Sequence, residues 1–272
     1  MEIPVGFEPE HRFGVGASHR KTVERVIAAM REQGDGAFLL SDMADVAHLS
    51  PYHFARVFRR VTGIPPGEFQ SAVRLERAKH LLLTTDLSVT EVCFEVGYNS
   101  LGTFTTRFTR LVGVSPGRVR LLPEELYTFL DGSGQGDGPL PPPTTVDSGV
   151  AFRVHGSDLT GTWIFAGLFP GAIPQSRPVA GKILTAPGVH RLTLAPDGRY
   201  HLMAAALPCS EDPLRFLLPG GALRVGSGRE PVVVRKGRAG GLTDVEMRPV
   251  RVTDPPVLIS LPALLLEAAA SF

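Results

Sequence analysis

The sequence predicts a multidomain chain: an all-α N-terminal domain with two helix-turn-helix motifs joined by a linker helix, then an all-β sandwich. Three observations support this prediction. Residues 50–67 recur as residues 100–117, Gly and Pro dominate 131–143, and apolar residues alternate with a period of two from about Gly149. The predicted parts are an N-terminal arm (1–18), a helical domain (19–122), a Gly/Pro-rich linker (123–149) and a β-sandwich domain with a C-terminal helix (150–272).

The repeat places the same residue types at the same positions of two helices. The aligned pairs are Phe54 with Phe104, Phe58 with Phe108, Gly63 with Gly113, Pro66 with Pro116 and Gly67 with Gly117. Phe residues four apart lie on one helix face, and the later Gly ends the helix in the left-handed conformation that Gly adopts at low cost. A shorter helix precedes each copy. Ser41 is predicted to cap the first, and Ser88 the second, where Glu91 completes a capping box.

Other helices are predicted around the repeat. Ser18 is expected to cap a helix over 19–33, which Gly34 and Gly36 end. The linker helix follows Pro66 and runs to about Thr84, and a short last helix runs from 115 to 122. A C-terminal helix is predicted over 262–270, because Pro is favoured near a helix start.

The residues of this doubled pattern, at 50–63, 92–100 and 104–117, carry a resemblance to a known family. The pattern resembles the DNA-binding module of AraC/XylS-type transcription activators over about residues 19–122. The resemblance implies a seven-helix module with two recognition helices and a cytoplasmic, nucleoid-associated regulator that binds double-stranded DNA at promoters. Residues 19–122 hold 14 Lys and Arg against 10 Asp and Glu, whereas the remainder holds 14 against 17, so the positive charge lies on this module.

The resemblance also implies which side chains contact DNA. In the first copy they are Tyr52, His53, Ala55, Arg56, Arg59 and Arg60, and in the second Ser100, Leu101, Gly102, Thr103, Thr106, Arg107 and Arg110. By position, Tyr52, Ala55 and Arg56 point toward bases, while Arg59 and Arg60 bind phosphate. Two alternatives stay open: the arginines form an ordinary solvated face, or Tyr52 packs at the start of its helix.

The second copy has fewer side chains that can read bases. Leu101 and Gly102 cannot hydrogen-bond a base edge through their side chains, whereas Thr103 and Thr106 offer a hydroxyl and a methyl group. This departs from the long polar residues that the family often carries there. We therefore expect the first helix to specify the sequence and the second mainly to position the protein.

Eight short strands are predicted after the linker. They are 150–155, 162–169, 179–185, 189–194, 199–207, 223–226, 231–235 and 245–250. Without intervening helices they predict a β-sandwich. The stretch 188–204, with its Pro-Asp-Gly turn and Gly-x-Tyr, resembles carboxypeptidase-regulatory or prealbumin-like sandwiches. His190 and His201 flank that turn, and if their strands pair they could form a metal pair, although an exposed polar face is the favoured interpretation.

Enzymatic functions find little support in the sequence. It contains no His-Glu-x-x-His, Gly-x-Ser-x-Gly or Walker motif. Repair proteins that join this type of module to an alkyl-accepting Cys need a Pro-Cys-His-Arg-like site, and only Pro208 and Cys209 match it. Cys93 and Cys209 are too few for a disulfide framework or zinc site. The apolar run 257–266 is too short to span a membrane. We expect no enzyme activity, no cofactor, no metal and no membrane association.

The role of the β-domain stays open at this point. It could be a small-molecule sensor, a dimerisation or partner-binding surface, or an enzyme, and the alternative to a sensing regulator is a DNA-bound scaffold that the β-domain assembles. A sensor needs a mainly apolar pocket, which Trp163, Phe165, Phe169 and Tyr200 could line. A small-molecule effector and RNA polymerase are candidate partners, and monomer and homodimer are both compatible with the sequence.

Overall fold

The computed structural model describes residues 16–32, 38–133, 149–193 and 195–270. Seven helices make up the first part: α1 (Ala17–Glu32), α2 (Leu40–Ala47), α3 (Pro51–Thr62), α4 (Pro66–Thr84), α5 (Val89–Glu95), α6 (Leu101–Val112) and α7 (Pro116–Ser133). The pairs α2–α3 and α5–α6 are the two predicted helix-turn-helix motifs, and α4 connects them.

The repeated aromatic residues form the core of both motifs. Phe54 and Phe58 are fully buried, with ring centres 5.5 Å apart, and Phe58 meets Phe69 of α4 edge-on at 5.4 Å. In the second motif, Phe104 and Phe108 repeat the contact at 5.4 Å. Each such aromatic pair adds about 0.5–1.5 kcal/mol to the burial of its area. The α4 connector therefore packs into the same core as α3.

Two predicted helix caps are wrong, and one is confirmed. Ser18 lies inside α1, and Ser41 lies inside α2, which begins one residue earlier. The carboxylate of Asp42 instead accepts the Leu39 N–H at 2.7 Å. Ser88 caps α5 as predicted: its hydroxyl accepts the Glu91 N–H at 3.2 Å, and the Glu91 carboxylate accepts the Ser88 N–H at 2.7 Å.

Helix α7 extends well past its predicted end at residue 122. It continues through Pro123 to Ser133, so residues 123–133 of the predicted linker are helical. Pro lacks an N–H and normally disrupts a helix interior, but burial of Leu122 and Leu126 on both sides stabilises this one. The rest of the predicted linker, most of the predicted arm and the Gly34–Gly36 stop signal lie outside the described residues.

All eight predicted strands are present, within one to three residues of their predicted bounds. They are β1 (Val150–Gly156), β2 (Thr162–Phe169), β3 (Ala180–Leu184), β4 (Gly188–Leu192), β5 (Gly198–Pro208), β6 (Arg224–Ser227), β7 (Val232–Val234) and β8 (Leu242–Pro249). Helix α8 (Pro213–Leu217) and a 3-10 turn (Gly220–Ala222) follow β5, and α9 (Leu261–Ala269) confirms the predicted C-terminal helix.

The strands pair in one path, β3-β2-β5-β6-β8-β1-β4, with β7 added to β5. This nearly closed, barrel-like sheet does not confirm the sandwich prediction, because a sandwich has two separate sheets. Phe152, Leu168 and Leu202 point into the barrel, while Phe165 and Met203 face outward against helices α7, α8 and α9. None of the described helices has the length and apolar character needed to cross a membrane.

The β-domain packs directly on the helical domain. Ile173, Leu258 and Ala263 belong to the helical core. The Ser176 N–H donates to the Leu111 carbonyl at 2.7 Å, and the Ser260 N–H donates to the Val112 carbonyl at 2.9 Å. Both carbonyls belong to the last turn of α6, where helix carbonyls lack partners within the helix. The β-domain thus satisfies the C-terminal end of the second helix of the repeat.

Lys79 of α4 forms a second polar link between the domains. Its ammonium group donates to the carbonyl oxygens of Val257, at 2.8 Å, and Leu258, at 3.2 Å. Burial lowers the pKa of Lys79 to about 8, and the nearby carboxylate of Glu76 only partly opposes this shift. The connecting helix therefore contacts the β-domain through a cation that is costly to bury.

Candidate nucleic-acid interface

Helix α3 is positioned by a cap at each end and by its aromatic face. The Ser50 hydroxyl accepts the His53 N–H at 3.4 Å, and Gly63 ends the helix with a φ of 82°. With Phe54 and Phe58 turned into the core, the opposite face is directed to solvent. The local sequence alone therefore fixes which side chains α3 can offer to a partner.

The candidate residues of α3 all lie on or beside that outer face. Tyr52, His53, Arg56, Arg59 and Arg60 are exposed, and Ala55 is half-buried. Tyr52 is 75% exposed, so its ring does not pack against the core at the helix start. The His53 ring meets His19 of α1 edge-on at 6.3 Å. His19 was not among the predicted site residues, because no local pattern indicates which residue of α1 lies beside α3.

The candidate residues of α6 are arranged in the same way, with one exception. Ser100, Leu101, Gly102, Thr103, Thr106 and Arg110 are exposed. The Ser100 hydroxyl accepts the Thr103 N–H at 3.4 Å, so it caps the helix. Arg107 is half-buried, and its Nε is buried without a hydrogen-bond partner in the described part of the chain. Arg107 is therefore less available to a partner than Arg110.

The charge on both helices has a single sign. Neither α3 nor α6 contains Asp or Glu. Among the described residues, Arg56, Arg59, Arg60 and Arg110 form no ion pair. By contrast, Arg118 of α7 pairs with Glu125 and Glu267, and Arg120 donates to the Leu82 and Leu87 carbonyls. Four guanidinium groups of the repeat are thus free to bind phosphate or base acceptors.

The other chemical sites considered from the sequence are not assembled. His190 lies on β4 and His201 on β5, and these strands do not pair with each other, so the facing pair required for a metal is wrong. The His190 ring instead lies 5.8 Å from Phe152. Burial raises the pKa of the Cys209 thiol, which disfavours the nucleophilic thiolate.

Residues 43–121 match the model of a helix-turn-helix domain family, and this match is of the AraC type. The chain is similar to the bifunctional transcriptional activator/DNA repair enzyme AdaA of Bacillus subtilis, at 34% identity over 33% of this chain and 43% of the relative. It is also similar to the HTH-type transcriptional activator AarP of Providencia stuartii, at 34% identity over 30% of this chain and 61% of the relative.

The matches thus span about half the length of these curated relatives. Among solved structures, an AraC-type transcriptional regulator from Chromobacterium violaceum is similar, at 21% identity over 39% of this chain and 94% of that chain, with a TM-score of 0.37.

Proposed function

We propose, from the AraC-type helix-turn-helix domain at residues 43–121, that this chain is a sequence-specific DNA-binding transcription regulator. In this proposal α3 and α6 are its recognition helices. The names of the relatives AdaA and AarP as transcriptional activators support the regulatory part. The matches cover only part of each relative, so the sign of regulation is not carried over from them.

One observation carries the proposal: the acid-free, exposed faces of α3 and α6 hold four guanidinium groups without ion pairs in the described part of the chain. Duplex DNA presents a dense line of phosphates, and Lys and Arg contacts with them supply most of the affinity. An α-helix also fits the major groove, where every base pair has its own pattern of donors and acceptors. A solvated surface helix more often mixes both signs of charge.

The two helices take different roles in this proposal. Arg56 can donate to the N7 and O6 acceptors of guanine, and Ala55 beside it can contact a thymine methyl group. Arg59 and Arg60, one turn further along α3, bind phosphate. On α6, Thr106 offers a small hydroxyl and methyl, while Leu101 offers only an apolar contact. We therefore assign sequence reading mainly to α3 and positioning mainly to α6.

The connector α4 sets the distance between the helices. It is a continuous helix of 19 residues whose Phe69, Ala72, Leu75 and Ala78 are buried, so it cannot bend freely. Two recognition helices held by one rigid element would enter successive major grooves on one DNA face, about 34 Å apart. If their spacing falls short of this, the DNA must bend at a cost on the order of 1–6 kcal/mol.

Selection of duplexes from a random library with the full chain tests the proposal. The expected result is a set of bound duplexes that share two short motifs separated by about one helical turn, the first better defined than the second. Binding without any enriched motif would contradict a sequence-specific regulator. Enrichment of one motif alone would contradict the use of two recognition helices.

A further inference from the structure

A cavity of about 620 Å³ lies where the β-sheet, helix α9 and the end of α3 meet. Its floor is the outward face of β2 and β5, represented by Phe165, Met203 and Ala205, and α9 contributes Leu264 and Ala268. This volume falls within the range of about 300–1,000 Å³ that is typical of small-molecule sites. The cavity is therefore large enough for a molecule rather than a few waters.

The lining of the cavity is mainly apolar, with few polar groups. Phe169, Val257 and Ile259 add to the apolar wall, and the imidazole of His201 and the hydroxyl of Ser227 are its neutral polar groups. Burial lowers the pKa of His201, and the charge of Arg199 lowers it further, so the ring is neutral at pH 7. A neutral imidazole can donate one hydrogen bond to a bound acceptor.

The charged groups of the lining favour an anion. Three cations, Arg177, Lys182 and Arg248, line the cavity against one carboxylate, Asp254. Arg248 and Asp254 form a two-point contact at 2.7 and 2.8 Å, and Arg177 pairs with Glu267 at 2.7 Å. Within the described residues Lys182 has no ion pair, so one positive charge is left over.

The walls of this cavity are bonded to both recognition helices. Thr62 and Gly63, at the C-terminal end of α3, line it directly. Arg177 and Ile259, which also line it, are the chain neighbours of Ser176 and Ser260, whose N–H groups bond the last carbonyls of α6. Displacing these walls therefore displaces the ends of α3 and α6.

We propose that this cavity binds a small amphipathic anion, an apolar body with one carboxylate-like group, and that its occupancy changes the affinity of the helical domain for DNA. The second half of this inference rests on the proposed function, whereas the first does not. Coupling between the sites is reciprocal: if the ligand changes DNA affinity by some factor, DNA changes ligand affinity by the same factor.

Two filling variants and one control test the binding half. The probe is anilinonaphthalene sulfonate, an apolar aromatic anion whose fluorescence rises in an apolar site. Ala268→Phe fills the cavity from α9, and the matched control Ala269→Phe changes the neighbouring residue, which is exposed and does not line the cavity. Ala205→Leu fills it from β5 and serves if Ala268→Phe does not fold.

We expect saturable binding of the probe to the full chain. Ala268→Phe or Ala205→Leu should weaken it by about tenfold or more, and Ala269→Phe by no more than about twofold. Decanoate should displace the probe at a lower concentration than decanol, which has the same alkyl chain without the charge. Equal weakening by Ala269→Phe, or no saturable binding, would overturn the site. Equal displacement by decanoate and decanol would overturn the anion preference.

The coupling half is tested on a duplex obtained by selection, with fluorescence anisotropy. Saturating decanoate should shift the DNA dissociation constant of the full chain by about fivefold or more, and should not shift that of Ala268→Phe. Decanoate that displaces the probe without this shift would overturn the coupling and leave the DNA-binding proposal intact. If no duplex is selected, the proposed function fails, while the probe titration still decides the binding site.

Discussion

The guanidinium carbon of Arg56 lies 5.9 Å from the centre of the Tyr52 ring, one turn earlier on the exposed face of α3. A cation above an aromatic face at this distance gains about 0.5–1 kcal/mol at an exposed site. Tyr52 therefore directs Arg56 toward the N-terminal part of the helix, which enters the groove first in helix-turn-helix proteins. The two residues act as one recognition unit in the proposed complex.

Substitution of Tyr52 should weaken DNA binding through the loss of the aromatic face. Tyr52→Ala is expected to raise the dissociation constant by about two- to fivefold, the equivalent of one exposed cation–π contact. Tyr52→Phe keeps the ring and should bind almost as well as the parent chain. Anisotropy titrations measure both, and equal losses for the two variants would show that the hydroxyl group, not the ring, makes the contact.

Arg59 and Arg60 should contribute affinity without sequence preference. If each neutralises one phosphate, Arg59→Ala and Arg60→Ala each reduce the slope of log K against log salt by about 0.9. Arg153→Ala is a suitable control, because Arg153 lies on β1 and pairs with Asp244. Dissociation constants measured over a salt series give the slopes. Unchanged slopes for both α3 variants would mean that these arginines are only a solvated face.

The helix caps give a stability prediction with a matched control. Ser88→Ala removes the hydroxyl that accepts the Glu91 N–H and should lower the free energy of unfolding by about 1 kcal/mol. Ser41→Ala lies inside α2, where Ala is the better helix former, so it should be neutral or slightly stabilising. Urea unfolding compares the two. A larger cost for Ser41→Ala would restore Ser41 as the cap of α2.

Lys79 predicts a pH dependence of stability. Its folded pKa of about 8 lies below its ordinary value of 10.5, so between these limits the unfolded chain binds a proton that the folded chain does not. Stability linked to Lys79 therefore rises with pH in this window, by up to about 3 kcal/mol. Lys79→Met should lack this rise. Unfolding of both chains from pH 7 to 10 tests it, and parallel curves would contradict the assigned pKa.

The repeated module could be predicted almost residue by residue because its signals are local. Gly63 and Gly113 both have positive φ, at 82° and 91°, and no side chain is needed from elsewhere to end the helices there. The buried Phe residues follow from the spacing of four on a helix. The eight strands were likewise found from alternation and from the Pro and Gly turns between them.

What the sequence did not reveal depends on contacts between distant residues. The parallel pairing of β1 with β8, which makes one path of the strands, joins segments about ninety residues apart and leaves no period-two signal of its own. Helix α7 continues through Pro123 because neighbouring leucines are buried. The β4–β5 turn resembled a hairpin, but β4 pairs with β1 instead. The cavity itself is formed by loops and by three separate elements.

The most direct measurement of the central claim repeats the duplex selection with Arg56→Ala and Thr106→Ala. Arg56→Ala should lose the base preference in the better-defined motif, while Thr106→Ala should enrich the same sequence with lower affinity. These results would place sequence reading on α3 and positioning on α6. An equal loss of base preference for both variants, or no loss for Arg56→Ala, would contradict this division of roles.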